Sequence, residues 1–272
     1  INQPLPSGNA TVVNPRPYPN FANITWIEST GNSDYNSLQT KLDKRFSGGL
    51  SFLVSFTWGR SIDDGNGVST STLASANLAQ NAYNLQGERG RSDFDVKYRM
   101  VFSPVYELPF GQGRKFLTSG ILSQIVGGWQ LSALFTASTG TPLTPYYTTN
   151  NSGTLNNEDR PNVVAGVDPN SGPKSPQEFF NINAFTAAPA GTFGNAGRNI
   201  INGPNLWNLD TSLVRNFKIR ERATFSLRGQ FYNTLNHPNF NYPNASFGTA
   251  AFGTLSSSQD PRELEIAARL MF

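Results

Sequence analysis

The sequence predicts an all-β chain of the antiparallel transmembrane β-barrel class, with about eight strands and long loops. Three observations carry this. Apolar and polar residues alternate with a period of two, most sharply where Leu50, Phe52, Val54, Phe56 and Trp58 oppose Ser51, Ser55, Thr57 and Gly59. Large apolar groups opposite small polar ones suit a sheet with lipid on one face and a wet lumen on the other. The links between such segments alternate roughly between short and long, as in a barrel whose tight turns lie at one end.

The composition bounds the rest. At 272 residues, with no low-complexity linker, the chain reads as one unit: a Pro-rich lead-in loop over 1–20 and a barrel segment over 21–272. No apolar run reaches the ~20 residues of a spanning helix. The mean hydropathy of −0.38 decides nothing, because lipid-facing and lumen-facing residues average out. Cysteine is absent, which excludes disulfides, thiolate metal sites and a cysteine nucleophile. The net charge of +3 is scattered, so nucleic acid is not an expected partner. The chain starts at Ile1 without an initiator Met, so it reads either as a processed form or as a piece of a longer protein.

In chain order, Pro4, Pro6, Pro15, Pro17 and Pro19 favour an irregular extended lead-in, since proline cannot donate to a ladder. A first strand is expected over Phe21 to Glu28, and S-T-G-N-S-D then turns the chain. The return strand, Tyr35 to Phe46, sets Leu38, Thr40, Leu42 and Phe46 against Gln39, Lys41, Asp43 and Arg45, with Lys44 as an exception able to snorkel to an interface. After the turn Ser47-Gly48-Gly49 comes the Leu50 to Trp58 strand. Residues 61–90 read as a long loop. Within it, Asp63, Asp64 and Asn66 beside Gly65 and Gly67 admit a calcium site or an ordinary solvated turn, and the calcium reading lacks the full spacing of a recognised loop.

A long strand is expected from Asp93 to Leu108. Its apolar set is Phe94, Val96, Tyr98, Met100, Phe102, Tyr106 and Leu108, its polar set includes Asp95, Lys97, Arg99 and Glu107, and Pro104 predicts a bulge. Residues 109–128 hold a turn and one or two turns of helix, and Trp129, Leu131, Ala133 and Phe135 open another strand. The region 141–205 has no sustained alternation and is read as a functional or disordered loop. Two strands follow around a tight connection at Lys218 to Glu221, with Trp207, Leu209, Leu213 and Phe217 and then Phe225, Leu227, Phe231 and Leu235 on the apolar side. Arg215 falls on that side against the rule, and near the turn it can reach an interface. The chain ends on a strand whose apolar face is Leu264, Ile266, Ala268, Leu270 and Phe272. Trp26, Trp58, Trp129 and Trp207 lie near strand ends, where an aromatic girdle sits.

The blocks Y-N-S-L-Q-T-K-L-D-K-R-F-S-G-G-L-S-F-L-V-S-F-T-W-G-R-S-I-D-D (35–64), R-G-R-S-D-F-D-V-K-Y-R (89–99), Y-E-L-P-F-G (106–111), G-G-W-Q-L-S (127–132), G-T-F-G-N-A-G-R-N (191–199), N-L-D-T-S-L (208–213) and F-Y-N-T-L-N-H-P-N-F (231–240) occur in collinear order. They resemble the C-terminal barrel of TonB-dependent receptors of the Oar-like type. The resemblance implies a bacterial outer-membrane protein whose complete barrel has about 22 strands around a plug. It implies import of a bulky solute, energised indirectly by the TonB system, with the terminal strand from Leu264 to Phe272 read by the barrel-assembly machinery. The plug and most of the barrel have no counterpart here, so they are expected partners from a longer chain, beside outer-membrane lipid.

Lys41, Asp43, Arg45, Lys97, Arg99, Glu107, Arg228, Glu265 and Arg269 are expected to face the lumen, with Asp95, Asp210 and Glu263. They read either as a solute path or plug-docking wall, or as cross-strand salt bridges that satisfy a polar lumen. His237 is the only histidine and sits in N-H-P-N-F, where a role in the turn outweighs catalysis; no enzyme, metal or cofactor is expected. Two other functions stay open: a barrel segment that assembles with copies of itself through its sheet edges, and a self-contained eight-stranded barrel serving as adhesin or small pore.

Overall fold

The computed structural model describes residues 2–9, 11–22, 24, 30–65, 79–155, 159–220 and 223–272. Its main sheet is built from β1 (Ser33–Ser47), β2 (Leu50–Asp63), the short β3 (Gly90–Arg91), β4 (Tyr98–Glu107), β5 (Trp129–Ser138) and, later in the chain, three more long strands. One helix, α1 (Gly120–Val126), lies between β4 and β5. Among the described residues the connection from β5 to β11 carries five two-residue strands, the first four being β6 (Pro142–Leu143), β7 (Tyr146–Tyr147), β8 (Asn162–Val163) and β9 (Phe185–Thr186). Then come β10 (Ile201–Asn202), β11 (Leu206–Arg220), β12 (Ala223–Tyr232), β13 (Ser246–Phe247) and the terminal β14 (Glu263–Met271).

The order β1-β2-β4-β5-β11-β12-β14 is antiparallel throughout, with β3 on the far end of β2. The sheet is open: among the described residues no ladder joins β1 to β14. Most of the expected strand over 21–28, Trp26 included, lies outside the described residues. The eighth strand of the sheet is instead β3.

Ladder register converts the alternation into two faces, because directly opposed residues share a side. Leu42, Val54, Phe102, Phe135 and Leu209 form one row across five strands. Leu50, Tyr106, Leu131, Leu213, Gly229 and Ile266 form a parallel row on the same side. The other side carries Lys41, Ser55, Val101, Thr136 and Asn208, and further along Glu107, Gln130, Val214, Arg228 and Ala267. Among the described residues, none of the buried apolar side chains lies in the seven long strands. Among the described residues no second layer of strands packs on this sheet, and an apolar face of this kind is satisfied by lipid.

The core sits in the connections. Phe179, Phe180, Ala184, Phe185 and Ile201 are buried together, with Leu143, Val163, Phe247, Phe252 and Leu255 packed against them. Phe180, Phe185 and Phe252 meet edge to face with centroids 5.0 to 5.9 Å apart, the arrangement favoured by the ring quadrupoles. The ladders β6–β10, β8–β9 and the parallel β7–β13 fasten residues 139–205 and 233–262 into one cap at one end of the sheet. The lead-in segment joins it: Gly8 N donates to Gly191 O, Gln3 Nε2 to Gln80 O, and Asn2 and Gln3 are buried. The region 141–205, expected to be a functional or disordered loop, is thus ordered and packed over its described residues. Outside a membrane, its many apolar residues bury one another.

Three strand limits differ from expectation. β2 runs five residues past Trp58, to Asp63. β4 begins at Tyr98 rather than Asp93, because the backbone from Ser92 is taken up by contacts to β2: Ser92 N donates to Ser61 O, and Ser61 N to Asp95 Oδ1. β12 stops at Tyr232, leaving Leu235 exposed in a turn. Pro104 makes no bulge: the register from Arg99↔Ser138 continues unshifted to Glu107↔Gln130, and only the pairs of Ser103 and Pro104 to β5 are missing. Proline removes the donor without displacing the strand.

Candidate functional site

At the cap end, the polar face of β4, β5, β11 and β12 borders a hollow of about 640 Å³. Arg99, Thr136, Ser138, Asn208 and Asp210 reach it from the sheet, Tyr232, Asn233 and Glu263 from the ends of β12 and β14, and Asn239, Gln259 and Asp260 from the connection above. Asp210 Oδ1 accepts from Asn208 Nδ2 (2.7 Å) and Asn233 N (2.8 Å), which orients it at the rim. Asn208 Oδ1 has no hydrogen-bond partner among the described residues, and Arg99 makes no ion pair among them. One guanidinium and three carboxylates, Asp210, Asp260 and Glu263, line the same space. Val96, Leu206, Trp207 and Pro261 line the same hollow, so the surface suits a ligand that presents hydrogen-bonding groups beside apolar area.

A buried ionic network holds the cap over this end. Arg198 Nε donates to Glu88 O (2.9 Å) and its Nη2 to Asp63 O (2.8 Å) and Asp63 Oδ1, while Nη1 lies 3.6 Å from Asp93 Oδ1. Arg160 pairs with Glu88, and both side chains are about nineteen-twentieths buried. Asn199 Nδ2 adds bonds to Arg91 O and Asp93 Oδ1. Several donors and acceptors meet in one place, so the charges keep partners after leaving water. Burial also pushes the Tyr147 phenol above its usual pKa, and burial pulls the Lys174 ammonium below its own, against the opposing pull of Asp168.

Both carboxylates considered for calcium in the 63–66 loop are engaged by protein donors. Asp63 is taken by Arg198, and Asp64 accepts from Asn32 N (2.7 Å) and Asn32 Nδ2 (3.4 Å). Asn66 lies outside the described residues, and among these no group of three or more acidic or imidazole side chains is placed to hold a metal.

Lys41, Asp43, Arg99, Glu107, Arg228, Glu265 and Arg269 share the polar face by register. Arg45 lies in the irregular end of the β1–β2 ladder. Two expected wall charges are elsewhere. Lys97 precedes β4 and sets its Nζ 5.1 Å over the Tyr98 ring. Asp95 is buried between Ser61 N and Arg91 Nε. Both lose their place for one reason: the alternation over 93–97 is not a strand. Glu107 pairs with Arg114, so at least this wall charge serves an ion pair.

Trp58, Trp129 and Trp207 stand on the apolar face, Trp58 and Trp207 toward the cap and Trp129 at the start of β5 at the opposite end. Trp207 stacks on His237 with centroids 3.9 Å apart. His237 and Asn233 close their turn reciprocally, His237 N to Asn233 Oδ1 and Asn233 Nδ2 to His237 O, both 2.9 Å. Leu264, Ile266, Ala268 and Leu270 oppose Phe231, Gly229, Leu227 and Phe225 on the apolar side, and Phe272 is 93% exposed. Arg198, Arg160, Glu88 and Gln80 were not foreseen. Arg198 lies in the block G-T-F-G-N-A-G-R-N, but nothing in its neighbours along the chain names a carboxylate 135 residues away.

Neither the curated proteins nor the solved structures contain a significant match to this chain. An outer membrane beta barrel domain matches residues 1–265. With its open antiparallel sheet, apolar outer face and polar inner face, the chain belongs to that outer-membrane β-barrel family and is a protein of the bacterial outer membrane.

Proposed function

We propose that the chain is the C-terminal barrel segment of a TonB-dependent receptor that imports a bulky polar solute. The cap and the loops around it contact the solute, and the hollow bounded by Arg99, Asp210, Asp260 and Glu263 is the first lumen-side station beneath them. The observation that carries this reading is that hollow, because it joins the cap to the charged face of the sheet. The ordered blocks from Tyr35 to Phe240 support the same assignment by their resemblance to Oar-like receptors. The edges of β1 and β14, unpaired among the described residues, fit a sheet that is completed by further strands around a plug. Assembly is then directed by the Leu264 to Phe272 strand, read by the barrel-assembly machinery.

The test is the intact mass of the native protein extracted from outer membranes with mild detergent. The proposal expects a mass far above the 29.7 kDa of this chain, and uptake of a bulky solute that stops when the inner-membrane energy source is collapsed. A native species of 29.7 kDa would sink it. The same unpaired edges also support assembly of copies into an oligomer, and a detergent-independent, high-order complex of the short chain would favour that reading instead.

A further inference from the structure

The link between β4 and β5 lies at the end of the sheet opposite the cap, beside the Ser47–Leu50 turn and the β11–β12 turn, as the pairs Leu50↔Tyr106 and Trp129↔Arg215 require. In an outer-membrane barrel the tight-turn end is periplasmic. Here the chain does not turn tightly but inserts residues 108–128, and α1 exposes Ile121 (77%), Leu122 (61%) and Ile125 (59%). Phe116 and Leu117, just ahead of the helix, are also about half exposed.

Two side chains of the apolar sheet face decide on which side of the wall this helix sits. Arg215 and Trp129 are register partners on that face. Arg215 donates through Nη1 and Nη2 to the carbonyls of Ile125 and Gln124, and Trp129 Nε1 donates to Ile125 O at 3.2 Å. The last carbonyls of a helix have no partner within it, so two outward-facing donors satisfy them and hold the helix end at the outer rim rather than under the lumen. The link is also a built element. At Gly127 a Cβ would lie 2.6 Å from Gly111 Cα and 2.4 Å from Ser123 O, so the two glycines permit a close backbone crossing beneath the helix.

We propose that residues 116–125 are an interfacial anchor seated in the periplasmic phospholipid leaflet, with Arg215 as its positioning residue. The anchor rests on the outer-membrane location of the chain. The occupant follows from continuity: the exposed apolar side of α1 extends the face that meets lipid, at its headgroup edge. Lys115 precedes the apolar stretch, where a cation sits among phosphates, and its Nζ lies 5.4 Å over the Phe116 ring.

The 272 residues contain no cysteine, so within them a single introduced one is a unique label. Ile121→Cys, Ile125→Cys, Val54→Cys and Gln112→Cys each carry an environment-sensitive fluorophore, in protein reconstituted into phosphatidylethanolamine and phosphatidylglycerol vesicles with spin-labelled lipid. The anchor expects about twofold or greater quenching at 121 and 125 by lipid labelled high on the acyl chain, as for a helix seated about 5–10 Å into the boundary, with Gln112 unquenched. Adding Arg215→Gln lowers quenching at 121 and leaves Val54 unchanged. Quenching at Val54 without quenching at 121 and 125 overturns the anchor alone. No quenching at Val54 removes the membrane-embedded sheet, and the anchor with it.

Discussion

The guanidinium of Arg198 closes on the carboxylate and the carbonyl of Asp63, at the last residue of β2, and so ties the long connection after β5 to the top of a strand formed 135 residues earlier. The Arg198 side chain is 1% exposed and that of Asp63 12%, so the contact is screened little by solvent. Removing one partner leaves the other charge buried. Arg198→Ala is expected to destabilise the cap by about 3–5 kcal/mol, read as faster amide exchange over 79–97 and 179–202 with the sheet protected as before. Adding Asp63→Asn to that variant recovers part of the loss, because the two changes act on one pair.

The cap should behave as a folded unit with its own core. Phe180 is fully buried among Phe185 and Phe252, and Phe180→Ala is expected to cost about 3–5 kcal/mol. Limited proteolysis measures this: new cleavage within 139–205 and 233–262 is expected, with β11, β12 and β14 still resistant.

The two faces of the sheet make opposite demands at adjacent positions. Val54 lies in the apolar row and Ser55 on the polar side. Val54→Arg is expected to reduce folding stability in lipid by about 2–4 kcal/mol, as for a cation near the bilayer midplane, whereas Ser55→Arg is tolerated. Denaturant titration in vesicles compares them, and equal costs would mean that the face assignment is wrong.

The Asn32–Asp64 contact supplies a pH dependence. The Asn32 backbone N–H holds the Asp64 carboxyl below its ordinary 3.8, by favouring the ionised form. A folded-state pKa below the unfolded one contributes stability above 3.8 and loses it as pH falls through the lowered value. Protection of the Asn32 amide should therefore fall on acidification below about pH 4, and Asp64→Asn should flatten that dependence.

Alternation failed as a guide where a local contact replaced the ladder. Over Asp93 to Lys97 the pattern matches a strand, yet Asp95 accepts from Ser61 N and Arg91 Nε, and a backbone held in this way cannot extend β4. The opposite error occurred over 141–205, where the absence of alternation concealed a packed core. Its aromatic residues Phe180 and Phe185 meet Phe252 of a later connection, in a cap joined by three separate short ladders.

By itself the sequence determined the strand-built class, the approximate strand positions, the two faces and the exceptional place of Arg215. Each follows from side-chain direction along an extended backbone, which alternates whatever the neighbours are. Only the tertiary structure decided that Arg198 claims Asp63, that Asp210 and Arg99 border one hollow, and that α1 hangs from the outer rim by Arg215 and Trp129. These are contacts between residues far apart in the chain, set by register and by where the connections come to rest, and no local period encodes them.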